Sequence, residues 1–536
     1  MINNTSNTLI YSGLSALIGM GISGPLQGQN QVKSVPVQKS RPNIVYIMSD
    51  DHAYQAISAY GGPLKDLAPT PNIDRIAANG MRFNRCLVTN SISGPCRAVI
   101  LTGKYSHLNG YLINGEKLRQ PPFDGSQQTF PKLLQAAGYN TAIIGKWHLG
   151  SDPTGFDHWD MLPGLGNYYN PDFINKDGRY TEQGYVTEII TKKSIQWINK
   201  VKNSGKPFML MMHHRAPHGK WQPGPHELTL YKDVTFPEPS TLFDDYSNRG
   251  TAEKTQDMTI AKTMQIEEHL NMYKDKSKMK TTGLNRMSPE QLKAWDNVYD
   301  PIIRHFYEAN LSGDDLVRFK YQRFMQDYLA CIAGVDKSVG EVLDFLKENG
   351  LDKNTIVIYT SDQGFYLGEH GWYDKRWMFE QSYRTPLLIE WPGITKPGTV
   401  NNDMVSNLDF AETFLDIAGV KVPSDMQGTS MVPILKGKTP ANWRKEHYYH
   451  YYEYPGFGMV KRHYGISTER YKLIHYYYDI DEWELYDIKA DPQELKNVYN
   501  DPAYAKVRAM LHTQLDELRK KYKDKPGLAE TFPSKK

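Results

Sequence analysis

The chain has 536 residues, 40% hydrophobic and 23% charged, with 42 Gly and 32 Pro scattered without a period, which excludes a collagen, a coiled coil and wholesale disorder. Against 63 Lys and Arg stand 60 Asp and Glu, a formal charge of +3, too near balance for the basic field of a nucleic-acid binder; an anionic partner has to be recognised locally. Cys86, Cys96 and Cys331 cannot build a disulfide framework, and no CxxC or Cys/His cluster suggests structural zinc.

The first predicted element is the apolar run Leu9 to Ile22, shorter than the roughly 20 residues that cross a bilayer. Gly21, Ser23 and Gly24 follow, then a polar stretch, so residues 1–30 read as a signal peptide and the protein as exported, periplasmic or secreted. No cysteine precedes Cys86, which argues against a lipid anchor. Short strand-like runs then recur, each ending in polar residues: Asn43 to Met48 before Ser49-Asp50-Asp51, and Thr141 to Ile144 before Gly145-Lys146-Trp147-His148. Phe208 to Met212 leads into His213-His214, and Ile356 to Thr360 into Ser361-Asp362-Gln363. Apolar strands alternating with helical patterns predict an α/β fold, a mostly parallel sheet sandwiched by helices, with ligands beyond the C-terminal strand ends.

Between the third and fourth runs, Gly219 to Asn310 lacks periodicity and reads as a long excursion. Met325, Tyr328, Leu329, Ile332, Val339, Val342, Leu343 and Leu346 then follow helical spacing, with Gly350 as a stop and Cys331 as a core residue. After Lys436-Gly437-Lys438-Thr439-Pro440 the texture changes, and ten tyrosines fall between Tyr448 and Tyr478. Alternation in Tyr471 to Tyr476 and in Glu484 to Ile488 predicts paired antiparallel strands, and Ala503 to Tyr522 a closing helix. Most of the tyrosines are expected as strand formers rather than sugar contacts. The division expected is a catalytic domain over 41–437 and a smaller α+β domain over 438–536.

Within this frame, Ser93-Gly94-Pro95-Cys96-Arg97 opens a helix that Gly103 can end, with Pro95 in its first turn and Ser93 just before it. A hydroxyl at a positive helix terminus, with an arginine one turn on, suits an anionic ligand, and suits an ordinary N-cap equally well. Asp50 with Asp51, and Asp362 with Gln363, end two different strands and supply the oxygen donors a hard cation prefers.

Ser93-x-Pro95-x-Arg97 with the tail Ala98 to Thr102-Gly103 resembles the signature of type I sulfatases, alkaline-phosphatase-like enzymes in which the first residue, Cys or Ser, is oxidised to formylglycine (3-oxoalanine). The resemblance makes Ser93 the precursor, implies a serine-type formylglycine-generating maturation enzyme as partner, and leaves Cys96 a bystander without the Pro and Arg spacing. A serine sulfated directly would be as inert as the substrate, whereas a hydrated aldehyde has one hydroxyl to attack sulfur and a second to expel sulfate. In the family, positions matching Asp50, Asp51, Asp362 and Gln363, together with the residue formed from Ser93, bind calcium or sometimes magnesium; Gln363 replaces the commoner Asn. Gly145-Lys146-Trp147-His148-Leu149-Gly150 resembles the family element whose lysine binds sulfate and whose histidine assists the nucleophile. Ala216-Pro217-His218 resembles that of the histidine near the leaving oxygen, and Lys375 the second sulfate-binding lysine. Arg97 would orient the formylglycine hydroxyls, and the roles of His148 and His218 are exchangeable at this stage.

The likeness spans roughly residues 41 to 536. Ser49-Asp50-Asp51-His52-Ala53 and Gly368 to Lys375 look most like bacterial N-acetylglucosamine-6-sulfatases acting on glycosaminoglycan or mucin fragments, for which His370, Arg376, Arg462 and His463 are the expected sugar contacts. Two alternatives stay open: a superfamily phosphatase or phosphodiesterase using unmodified Ser93, and a non-catalytic carbohydrate-binding protein on the same scaffold.

Overall fold

The computed structural model describes residues 41–114, 120–281 and 283–527. The expected signal peptide lies outside them. Strands β1 (Asn43–Ser49), β2 (Met81–Leu87), β3 (Asn140–Lys146), β4 (His158–Leu162), β5 (Asp172–Asn175), β6 (Gly178–Thr181), β7 (Phe208–His213) and β8 (Thr355–Ser361) come first in the chain. They are followed by β9 (Tyr366–Leu367), β10 (Tyr373–Asp374), β11 (Arg384–Glu390), β12 (Thr399–Asn401) and β13 (Val405–Ser406). One large sheet runs β12-β2-β11-β8-β1-β7-β3-β4-β5-β6, with β13 also on β2. Its centre is parallel: β1 pairs with β7 and β8, and β3 with β7 and β4. Antiparallel β11 and β5 flank that centre.

Both faces are covered, as continuous apolar strands require. Val45 and Ile47 face a core shared with helices Pro71–Asn79, Val186–Val201 and Gly313–Glu348, whereas Ile44, Tyr46 and Met48 face helices Ser93–Thr102, Phe130–Ala136 and Phe410–Ile417. All five β1 side chains are fully buried. The 36-residue helix Gly313–Glu348 contains the predicted stripe, begins well before it and stops ahead of Gly350, whose φ is +66°. Four parallel strands, β1, β3, β7 and β8, therefore deliver their C-terminal ends to one edge.

The excursion between β7 and the long helix is more ordered than its sequence suggested. It contains helix Pro289–Ala309, opened by a capping box between Ser288 and Gln291, and it buries Ile260, Met264, Leu270 and Met272 in the core. The C-terminal part is the expected small antiparallel sheet, β14 (Glu446–Tyr451), β15 (His463–Thr468), β16 (Tyr471–Tyr476) and β17 (Glu482–Asp487), in sequential order. Ile466 and Leu485 face Leu473 across it, and helix Ala505–Lys521 closes it with Leu511, Leu515 and Leu518. Tyr448, Tyr449, Tyr451, Tyr452 and Tyr476 are buried packing residues, as strand-forming tyrosines should be.

Candidate active site

At the sheet edge, β1 ends directly before Asp50 and β8 directly before Asp362, and the neighbouring register Ser49↔Ser361 sets the two carboxylates side by side. The Asp362 N–H donates to Ser49 O at 3.2 Å, and the Asp51 N–H donates to Asp362 Oδ1 at 3.2 Å. Asp51 sits at φ +68°, a costly conformation for a residue with a Cβ, and Tyr328 Oη holds it there by donating to its carbonyl at 2.7 Å.

Helix Ser93–Thr102 brings the nucleophile candidate to the same place. Ser93 is its first helical residue rather than the residue before it, and Ile92 takes the cap position. The Ser93 hydroxyl does not cap its own helix; it donates to Asp50 Oδ1 at 3.0 Å. Gly103 ends the helix at φ +62°. One turn in, Arg97 donates from Nε and Nη2 to Asp362 Oδ2 at 3.2 and 3.0 Å and from Nη1 to Lys146 O at 2.8 Å. Its guanidinium also lies 3.7 Å from Asp50.

A different lysine pairs with each of the two adjacent carboxylates. Lys146, the last residue of β3, is paired with Asp50, and Lys375 Nζ lies 2.6 Å from both oxygens of Asp51. His218 Nε2 is 3.6 Å from Asp51 Oδ2, while its Nδ1 is 2.6 Å from Gly219 O; a carbonyl only accepts, so the proton is on Nδ1 and Nε2 faces the acids. His148, held at φ +61°, has Nδ1 buried without a partner. The structure thus brings together Asp50, Asp51, Ser93, Arg97, Lys146, His148, His218, Asp362, Gln363 and Lys375.

Electrostatics follow from this crowding. Burial raises the Asp50 carboxyl, but Lys146, His218, Arg97 and Lys375 together outweigh it and hold its pKa well below the carboxylate range. Asp51 is pushed up to about 7, by burial first, which Lys375 opposes and the carboxylates of Asp50 and Asp362 reinforce. Burial lowers Lys146 to about 8 against the pull of Asp50. Burial leaves His148 and His218 well below the ordinary histidine value, reinforced at His148 by Lys146 and opposed at His218 by Asp50.

The carboxylates fit a divalent cation. Oxygens of Asp50 and Asp51 and a ring nitrogen of His218 lie within 4.8 Å of one another, and Asp362 adds a third buried acid. Gln363 turns its amide nitrogen to Asp51 and leaves Oε1 buried without a partner; the same amide turned over offers a carbonyl oxygen. Such an oxygen-dominated donor set suits a hard cation.

Above these groups opens a cavity of about 890 Å³, with Asp51, His148, His218 and Lys375 along it. Arg376 reaches it, bound to Asp374 at 2.5 Å and stacked over Phe457 at 5.2 Å. The other expected sugar contacts do not line it. His370 is buried between Trp372 and Phe379 and lies 3.2 Å from Asp244. Arg462 is buried, donating to the carbonyls of Tyr452 and Tyr454, and His463 is enclosed by Trp377, Tyr449 and Tyr451. These three are packed inside the fold: Arg462 is committed to backbone carbonyls, His370 through Nδ1 to Asp244 and His463 through Nδ1 to Lys461 O. Asn114, Trp221, His269, Glu453 and Phe457 line the cavity instead, unannounced by any local spacing. Cys96 is buried, and its thiol donates to Asp362 O; burial raises its pKa, so it stays protonated.

Comparison with known proteins gives the following likenesses. Residues 42–420 match the family model described as Sulfatase, and residues 368–521 match that of the N-sulphoglucosamine sulphohydrolase C-terminal region. The chain is 50% identical over 499 residues to an N-acetylglucosamine-6-O-sulfatase of Bacteroides thetaiotaomicron, covering 91% of this chain and 88% of that protein. It is 28% identical over 458 residues to an N-acetylglucosamine-6-sulfatase of Capra hircus, covering 80% of this chain and 67% of that one. A solved structure described as a complex with its substrate, D-glucosamine-2-N,6-O-disulfate, superposes with a TM-score of 0.87 at 49% identity, covering 91% of this chain and 99% of the other.

Proposed function

Because the chain belongs to the sulfatase family, whose model matches most of it, and is a sulfuric ester hydrolase, we propose that it removes the 6-O-sulfate of N-acetylglucosamine in glycosaminoglycan or mucin fragments. The observation that carries this reading is the Ser93 hydroxyl at 3.0 Å from Asp50, with which Lys146 also pairs, next to a cavity lined by Asp51, His148, His218 and Lys375. The 6-sulfated aminosugar named for the relatives supports the choice of substrate.

Oxidised to formylglycine, Ser93 supplies the hydrated aldehyde whose hydroxyls attack sulfur and later release sulfate. Calcium bound by Asp50, Asp51, Asp362, Gln363 and the residue formed from Ser93 would add positive charge against the sulfate oxygens. Lys146 and Lys375 hold those oxygens, and Arg97, fixed by Asp362 and the Lys146 carbonyl, orients the nucleophile. A sugar alkoxide leaves poorly, so His218, with its Nδ1–H held by Gly219 O, takes up a proton from solvent at Nε2 and delivers it to the leaving oxygen. His148 takes the proton that departs as sulfate is expelled. The geometry of Arg376 and Asp374 at the cavity supports Arg376 as a sugar contact. The apolar run Leu9 to Ile22 supports export to the periplasm or beyond, and among the described residues no helix is long and apolar enough to cross a membrane.

The test is sulfate release from a panel of 2-, 3-, 4- and 6-O-sulfated and N-sulfated sugars. Fastest turnover of the 6-O-sulfate of N-acetylglucosamine is expected; preference for another position overturns the substrate.

A further inference from the structure

One buried histidine beside this site is used by no step above. His213 is the last residue of β7 and is 2% exposed. Its register partner on β3 is Gly145, the residue before Lys146. Gly145 sits at φ +107°, and a Cβ there would run into the backbone carbonyl of His213, so the two strand ends approach more closely than any other residue allows. This close approach places the imidazole beside the backbone of Lys146.

The His213 Nδ1 lies 3.0 Å from Lys146 O, and Arg97 Nη1 lies 2.8 Å from the same oxygen. The two nitrogens are 3.3 Å apart. Lys146 O has two lone pairs and is the nearer partner of Nδ1; with the proton on Nδ1 the imidazole and the guanidinium both donate to that oxygen, whereas a bare Nδ1 accepting the longer contact from Arg97 would leave an N–H buried at Nε2 with no partner. Nε2 is then a bare acceptor, and it is buried with no partner. Burial, reinforced by Arg97, keeps the ring neutral and so limits it to a single N–H. Tyr46 packs edge-on against it at 5.9 Å, which fixes the plane of the ring.

We infer that His213 is a positioning residue: its Nδ1–H and the Arg97 guanidinium together clamp the Lys146 carbonyl, fixing the end of β3 so that the Lys146 ammonium points to Asp50 while Arg97 keeps its grip on Asp362. This rests on the reading of Arg97 and Lys146 as the groups that orient the nucleophile and hold sulfate. The clamp ties the helix bearing Ser93 to the paired ends of β3 and β7 at one oxygen atom. Without the imidazole donor the carbonyl keeps only Arg97, and the strand end that aims Lys146 loses its second restraint.

Two amide substitutions separate this role from bulk packing, because they place the N–H differently. An asparagine amide nitrogen falls where Nδ1 lies and can still reach the carbonyl; a glutamine amide nitrogen falls near Nε2 and cannot. Sulfate release by His213→Asn, His213→Gln and the wild type is measured over a range of substrate and pH, with thermal unfolding of each. His213→Gln is expected to lose about 10- to 100-fold in kcat, the scale of a small misplacement at the reacting centre, and His213→Asn to stay within about 3-fold of wild type. Added to Arg97→Ala, His213→Gln is expected to cost no further factor, since both act through the same carbonyl. Equal kcat in the Asn and Gln variants, or full additivity with Arg97→Ala, overturns the inference. If either variant does not fold, the comparison is made with the other in the Arg97→Ala background. Wild-type sulfate release by Lys146→Ala is a separate outcome and defeats the underlying reading instead.

Discussion

Lys375 Nζ lies 2.6 Å from both carboxylate oxygens of Asp51, although the two residues are 324 positions apart and reach the site from different loops. Lys146 pairs with the adjacent Asp50 through its Oδ2. Each acid therefore has its own ammonium group, while Asp362 is satisfied by Arg97. The site balances its charge pair by pair, and a sulfate entering the cavity meets cations already gathered.

Cation binding should compete with protons. The Asp51 pKa of about 7 comes from burial and the neighbouring carboxylates, with Lys375 opposing, so in the metal-free protein Asp51 is protonated below that value. A raised carboxyl pKa means that its contribution to stability is full below the unfolded value near 4 and is lost as pH rises toward 7. Calcium, which needs the ionised form, should then raise Tm more at pH 8 than at pH 5.5. Unfolding scans with calcium and with a chelator at both values check this; equal shifts, or none, contradict it.

His218→Gln should be selective for poor leaving groups. On a sugar sulfate the loss expected for a missing general acid is about 10² to 10⁴ in kcat. On an aryl sulfate whose phenolate leaves unaided, the loss should shrink to roughly tenfold or less. Rates on both substrates decide it, and equal losses would remove His218 from the acid role.

Cys96 should be chemically silent. Its thiol is buried against the Asp362 carbonyl and Asn407, and it remains protonated. Native protein should keep its activity through exposure to iodoacetamide, and Cys96→Ala should keep kcat within about threefold. Inactivation by the reagent with labelling at Cys96 would show that it takes part.

His370 should answer to stability rather than to substrate. Enclosed by Trp372, Phe379, Asp244 and Arg249, it holds the segment that leads to Lys375. His370→Ala is expected to cost about 1 to 3 kcal/mol of stability with KM changed less than about twofold. A large rise in KM with Tm unchanged would return it to the sugar site.

What the sequence made legible was whatever physics ties to local order. Apolar runs ending at Asp50, Lys146, His213 and Asp362 announced parallel strands and the edge where their ends meet. Ser93, Pro95 and Arg97 announced a helix start by spacing, and Lys146, His148, His218 and Lys375 by resemblance to a family. Residues that depend on how loops close over the sheet were not announced: Asn114, Trp221, His269 and the pair Glu453 and Phe457 come from four separate places in the chain. Arg462 misled because a surface guanidinium and one spent on the Tyr452 and Tyr454 carbonyls look the same in sequence. Helix Pro289–Ala309 escaped because only Trp295 and Tyr299 on it are buried and Pro301 interrupts its pattern, although the Ser288-x-x-Gln291 capping box was there to be read.

The central claim is that Ser93, once oxidised, is the nucleophile. The most direct measurement is the mass of the tryptic peptide containing Ser93 from active enzyme, taken alongside its sulfate release. The account predicts a peptide lighter than the serine form by about 2 Da, from oxidation of the hydroxyl to an aldehyde, in a fraction that tracks activity, with no activity in Ser93→Ala. Full sulfate release from protein whose Ser93 is entirely unmodified would contradict it.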